Sequence, residues 1–310
     1  LDAGMSGVFM RSASSAHGDS QLDAMMRATA GIASRARPAA GARHANGSGN
    51  GGGTPTLLCA SGRGGSGTSL VAALIAVAAA GDGRRVLLVD ADDLVGPQAL
   101  LLGVPATTGW QDLRGGHMSA HDVATSVSAS LTLVAGGVPR RGEGMSATPN
   151  ATERRACMRR VSTLGDHHDL VVIDCGARLE PLFASVAPQL HERVVAVMTG
   201  RDPITLAATF ALCKATNSRF PDLMIDVVAN RQDSTEGSHC FDALDAGVRQ
   251  FLPNCPLRFA GAVPLDSTLD TVLRAGMPFL DAAAGSPAAT AAYELARRSL
   301  HATSSSRLGV

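Results

Sequence analysis

Residues 54 to 94, TPTLLCASGRGGSGTSLVAALIAVAAAGDGRRVLLVDADDL, restrict the folds open to this chain more than any other stretch. Thr54 to Ala60 predicts a short buried strand, and Ser61 to Ser69 a turn carrying Gly62, Gly64, Gly65 and Gly67. Leu70 to Ala80 predicts an apolar helix; a second buried strand then opens at Arg84 or Arg85 and ends in Asp90 and Asp92. Strand, glycine loop, helix and acid-tipped strand make one βαβ unit built around an anion. Glycines let successive backbone N–H groups face inward, and the helix start adds partial positive charge, so a phosphate fits there. A run of small residues also suits an ordinary tight turn, but the flanking strand, helix and acids favour the phosphate.

The loop lacks one thing. A P-loop places Lys before Ser or Thr, so that the ammonium reaches the β- and γ-phosphates while the hydroxyl holds magnesium. Here that position is Thr68, followed by Ser69. Ser69 can serve a metal, Thr68 neutralises no charge, and Arg63 is the only cation in the loop.

The chain's 310 residues suffice for one large α/β domain or two smaller ones. Its 27 Lys and Arg balance 27 Asp and Glu, so nothing global points to nucleic acid and no specific binding of it is expected. Aromatic residues are only 3%, which leaves Val, Leu, Ile and Ala to build the core. Cysteines 59, 157, 175, 213, 240 and 255 form no C-x-x-C pair, and several lie in apolar runs. Buried free thiols in a reducing compartment are therefore expected over disulfides or zinc. Leu70 to Ala80 is the longest apolar run, short of the roughly 20 residues of a membrane span. No basic segment followed by an apolar core opens the sequence, so cytoplasm is the expected location.

Along the chain, residues 1–53 read as a flexible region: a short amphipathic helix or an irregular tail at Gln21 to Arg35, then a Gly-rich linker. Asp112 to Val127 suggests polar helices and turns, Leu131 to Val134 a strand, and Pro139 to Glu153 a mobile loop. On a helix from Ala151 to Leu164, Arg154, Arg155, Arg159 and Arg160 form either a solvated face or a basic patch. Asp169 to Asp174 is a buried strand ending in an acid placed as a second metal carboxylate, with a cap or turn role as the plainer option. Further strands are expected at Arg193 to Thr199, Leu223 to Ala229 and Arg258 to Val263, and helices at Ile204 to Thr216 and Ala288 to Ala302. This alternation predicts an α/β fold over 54–302: a mostly parallel central sheet, helices on both faces, ligand at the strands' carboxyl ends, and a flexible tail at 303–310.

These landmarks resemble the MinD/ParA-type deviant P-loop ATPases, most of all the flagellar-number regulators of the FlhG (FleN) branch. Ser61 to Ser69, SGRGGSGTS, resembles the family's SGKGGVGKT, and Asp90-Ala91-Asp92 followed by Leu101-Leu102-Gly103 resembles its DAD…LLG segment. DLVVIDCG at 169–176 matches the Walker B strand, VVANR the strand ending in Asn230, and GAVPLD at 261–266 the G-x-[IV]-P-x-D segment. Asp202-Pro203 and Phe210 to Lys214 are also similar, and the likeness covers roughly residues 54 to 300.

The resemblance implies that Ser69, Asp90 and Asp174 surround magnesium, that Asp92 positions the attacking water, and that Asn230 with Pro264 holds adenine. It implies dimers across two nucleotides, with Arg63 in place of the lysine that reaches the partner's phosphates. Gln21 to Arg27 is weakly similar to a motif thought to engage the signal-recognition-type GTPase FlhF, and a thin apolar face near Tyr293 and Leu295 suits packing or weak membrane-surface attachment, peripheral at the inner membrane or cell pole. Departures matter as much. Lysines become Arg63 and Thr68, the family's asparagine is Pro97, and an acidic position is Ala208. A degenerate regulator that acts through protein partners, binds ATP or ADP with magnesium weakly and hydrolyses poorly is the leading expectation. The alternatives are a competent magnesium-dependent ATPase that dimerises on ATP, and a non-enzymatic assembly factor of a cellulose secretion or pilus system.

Overall fold

The computed structural model describes residues 54–93, 96–137, 148–185, 192–277, 280–283 and 286–305. The expected helix at 21–35, its linker, positions 139–147 of the polar loop and 306–310 of the tail lie outside the described residues.

The inner strands are apolar runs of four to seven residues bounded by turns and largely buried on both faces, while the two edge strands are less buried. Eight strands form one sheet: β1 (Thr56–Ala60), β2 (Val86–Asp90), β3 (Ala124–Ser126), β4 (Leu131–Val134), β5 (Leu170–Asp174), β6 (Glu192–Met198), β7 (Ile225–Asn230) and β8 (Leu257–Val263). Their order is β3-β4-β2-β5-β1-β6-β7-β8, every pair parallel except β3 with β4. That antiparallel edge replaces part of the helices and turns expected at 112–127. Three residues are too few to show an alternation, and the pairing of Thr125 with Leu133 supplies what local sequence does not.

The helices are α1 (Thr68–Gly81), α2 (Gln98–Leu102), α3 (Ala151–Ser162), α4 (Leu179–Ser185), α5 (Pro203–Arg219), α6 (Ser234–Phe251), α7 (Ser267–Arg274), α8 (Leu280–Ala283) and α9 (Pro287–Ser305). Alternate strand residues feed two cores. Leu57, Cys59, Leu88, Val172 and Val197 pack under α1 and α9, against Val71, Ile75, Ala292 and Leu295. Leu58, Leu87, Val171 and Ala196 pack under α3 to α6, against Met158, Leu182, Phe210 and Leu244. Each fully buried aliphatic side chain contributes about 1.5–3 kcal/mol, so the two layers hold the sheet without many rings. No described helix is long and apolar enough to cross a membrane.

The arginines of α3 divide in a way the sequence did not show. Arg155 and Arg159 are exposed, but Arg154 is buried and paired with Asp93. Arg160 donates to the carbonyls of Leu113 (2.5 Å) and Met118 (2.6 Å), closing the turn after Trp110. Two of the four thus hold the fold internally, leaving a solvated pair. Cys59, Cys157, Cys175, Cys213 and Cys240 are buried free thiols and Cys255 is half-buried. Burial pushes the Cys59 and Cys213 thiols well up and Cys255 up to about 11. Such thiols are poor nucleophiles.

Candidate functional site

All strands but β3 point their carboxyl ends the same way, so the loops after β1, β2 and β5 meet at one edge of the sheet. The first is the glycine loop. Gly65 (φ 82°) and Gly67 (φ 79°) take left-handed backbone, open to glycine at little cost. Gly67 is also the N-cap of α1 with no side-chain cap, so the first-turn N–H groups stay available to an anion. Ser61 Oγ (2.9 Å) and Ser66 Oγ (3.1 Å) both donate to the Arg63 carbonyl, bracing the turn from inside. Gly62 lies against α5: a Cβ there would overlap the backbone of Ala208 and Thr209. Gly64 is exposed.

Thr68 is buried at the start of α1, where a P-loop lysine would reach phosphate. Arg63 does not fill the gap. Its Nη1 donates to Thr205 Oγ1 (3.2 Å) and lies 3.9 Å from Asp202 Oδ1, at the N-terminus of α5.

The acids stand opposite the loop. Asp90 and Asp174 are register partners at the ends of adjacent parallel strands, both buried. Asp90 Oδ1 accepts from Asp92 N (3.1 Å) and Oδ2 from Gln98 N (3.0 Å). Burial, then the charge of Asp174, pushes the Asp90 carboxyl up to about 8 against those two N–H groups. Burial also raises Asp174, opposed by the Ser69 hydroxyl, the Gln98 side-chain amide and the Gly176 N–H. Asp174 Oδ1 accepts from Gly176 N (3.0 Å), a turn role it fills while also facing Ser69. Asp92 is half-buried beside this pair.

Asn230, implied at adenine by the resemblance, is buried under the loop and donates Nδ2 to the Ser66 carbonyl (2.9 Å). Pro264 follows β8, half-buried.

Three residues went unread in the sequence. Asp93, next to Asp92, is buried and accepts from Arg154 and Arg178, while Gln111 donates to its carbonyl. Gln98, fully buried, donates Nε2 to Asp174 Oδ2 (2.8 Å) and to the Ser69 carbonyl (2.9 Å). Arg178 lies four residues after Asp174, the last residue of β5, a spacing that carries no signal by itself. Among the described residues no three His, Cys, Asp or Glu cluster to hold a metal. Magnesium does not need them, since it takes one or two carboxylates and leaves other positions to phosphate and water.

The sequence profile of the family "Cellulose biosynthesis protein BcsQ" matches residues 56–215, more than half of the chain. The antiactivator FleN of Pseudomonas aeruginosa is 28% identical over 214 residues, 67% of this chain and 72% of FleN. The cell division ATPase MinD of Pyrococcus furiosus superposes with a TM-score of 0.62 at 21% identity, covering 78% of this chain and 97% of MinD. MinD of Pyrococcus horikoshii, complexed with Mg-ADP, gives 0.60 at 22% identity over 79% of this chain and 95% of its own. With more than half its length under one family profile, this chain belongs to the BcsQ family; it has the fold of MinD around the loop and acids and is similar to FleN.

Proposed function

We propose that this chain is a MinD/ParA-type regulator that works through protein partners, with ATP hydrolysis weak or lost. One observation carries the reading: the lysine position is a buried Thr68, and the loop's own cation, Arg63, is docked on α5. Charge developing on a γ-phosphoryl needs preorganised cations, and losing one removes a large part of the transition-state stabilisation. Pro97 adds to this, because it offers no side-chain amide where the family has asparagine.

The residues fit a magnesium nucleotide in shape and donors, and fall short in charge. Loop amides from Gly62 to Ser69 would cradle the phosphates, and Ser69, Asp90 and Asp174 would hold magnesium, whose chemistry is to neutralise phosphate oxygens. Asp92 would face the water side, and Asn230 and Pro264 would border the base. Pairing of two copies through Arg63, a GTPase partner held by residues 21–35, and weak attachment to a membrane surface belong to the same reading. A relative that is an antiactivator supports work done on another protein. The family match favours a second reading, an assembly factor of a cellulose secretion system that needs no nucleotide cycle.

Calorimetry with ATP and ADP, with and without magnesium, tests the proposal on wild type and Thr68→Lys. Weak or silent wild type with a binding variant is the expected result. Sustained magnesium-dependent turnover by wild type would overturn it and restore a competent ATPase switch. Partner association indifferent to nucleotide in both proteins would favour the assembly factor.

A further inference from the structure

Gln98 is a neutral amide placed where two carboxylates and the phosphate loop converge. Its backbone N–H is bound by Asp90, and its side-chain NH2 bridges Asp174 Oδ2 (2.8 Å) and the Ser69 carbonyl (2.9 Å). Both partners of that NH2 are acceptors, which fixes the amide's orientation: nitrogen inward. The other end, Oε1, is fully buried and finds no donor among the described residues. A buried acceptor left unpaired destabilises the fold that contains it, so an ion or water that uses it in another state is the natural explanation.

We propose that Gln98 is a two-position amide that stands in for the cation at the acid pair. Without metal, its NH2 donates to Asp174 and ties it to the Ser69 backbone, doing with two hydrogen bonds what a divalent ion would do with charge. When a hard cation enters beside Ser69 and Asp174, the amide turns over and offers Oε1 as an additional oxygen ligand. Oxygen ligands of this kind suit magnesium or manganese. The cation therefore competes with an internal hydrogen bond, and metal alone binds weakly. This inference rests on reading Ser69, Asp90 and Asp174 as the metal side of the cradle.

The test uses the full chain and Mn2+ or Mg2+ alone, without nucleotide. Thermal melts and Mn2+ binding by electron paramagnetic resonance are compared for wild type, Gln98→Glu and Gln98→Met. Gln98→Glu adds a third carboxylate: it should melt lower than wild type without metal, recover on adding Mn2+, and bind Mn2+ at least about tenfold tighter. Gln98→Met keeps the volume but loses both the hydrogen bond to Asp174 and the ligand oxygen, so it should melt lower and be rescued by Mn2+ less than Gln98→Glu. Unchanged Mn2+ affinity in Gln98→Glu, or equal rescue of Gln98→Met, would overturn the proposal. Should both variants fail to fold, the wild-type Gln98 side-chain NH2 resonances decide: they should shift on adding diamagnetic Mg2+ as the hydrogen bond to Asp174 is lost, and their indifference would sink the idea. ATP turnover by wild type would end the proposed function and leave these metal-only outcomes standing.

Discussion

Arg63 donates to Thr205 Oγ1 across 3.2 Å, so the glycine loop's one cation is anchored to the first turn of α5. Thr205 is itself buried, and its backbone N–H is capped by Asp202 Oδ1 at 3.0 Å. Burial fixes the acceptor, the cap fixes the helix start, and Arg63 follows. Its position is thus accounted for by the packing and capping of α5.

The cap and the ion pair at Asp202 separate by substitution. Asp202→Ala loses the cap and should cost about 1 kcal/mol in urea unfolding. Asp202→Asn keeps a capping oxygen, and the 3.9 Å contact to Arg63 is half-exposed, so its loss should be a few tenths of a kcal/mol. Equal losses in the two variants would show that the charge, and not the cap, holds this junction.

Gly62 allows the loop to approach α5. A Cβ at this position overlaps the backbone of Ala208 and Thr209, which cannot move aside as a flexible side chain would. Gly62→Ala should destabilise by about 1–3 kcal/mol through overpacking. Gly64→Ala meets nothing within 4 Å and should change stability by under about 0.5 kcal/mol, both read by denaturant melts.

What the sequence disclosed follows from how locally each signal is written. β4 spans Leu131–Val134 as expected, and β2 and β5 begin within two residues of expectation, because each is a continuous apolar run between polar turns. Helix α6 was not legible in its mixed stretch, although Cys240, Leu244 and Val248 recur at helical spacing and Asp233 caps Thr235 and Glu236. The loop and the acids could be read because strand, glycine turn, helix and acid-tipped strand follow one another in one short stretch. Gln98 and Asp93 could not. Their roles depend on β2, β5 and α3 coming together, and the burial of a glutamine is decided by tertiary neighbours alone.

The division of the α3 arginines can be measured directly. Arg154 is buried against Asp93, which also meets Arg178, and removing one partner of a buried ion cluster leaves charge poorly compensated. Arg154→Met should cost about 3 kcal/mol or more in chemical denaturation. Arg155→Met, on the exposed side of the same helix, should cost under about 0.5 kcal/mol. Similar small losses for both would mean that Arg178 alone satisfies Asp93.

The sheet's amino end offers a pH test away from the site. Asp169 Oδ1 accepts from Arg85 Nη2 (2.8 Å) and Oδ2 from the Arg85 backbone N–H (2.9 Å). The Arg85 side-chain and backbone hydrogen bonds lower the Asp169 carboxyl from 3.8 to about 2. A carboxyl depressed on folding adds stability that is complete above its unfolded value and disappears as pH falls through its folded one. The melting difference between wild type and Asp169→Asn should therefore hold steady above about pH 4 and shrink toward pH 2. Both side chains are more than a third exposed, so the effect is modest and weakens with salt. Arg85→Met should return the Asp169 titration toward about 3.9, followed by carboxyl NMR; a titration unmoved by that change would show the backbone N–H carrying the shift alone.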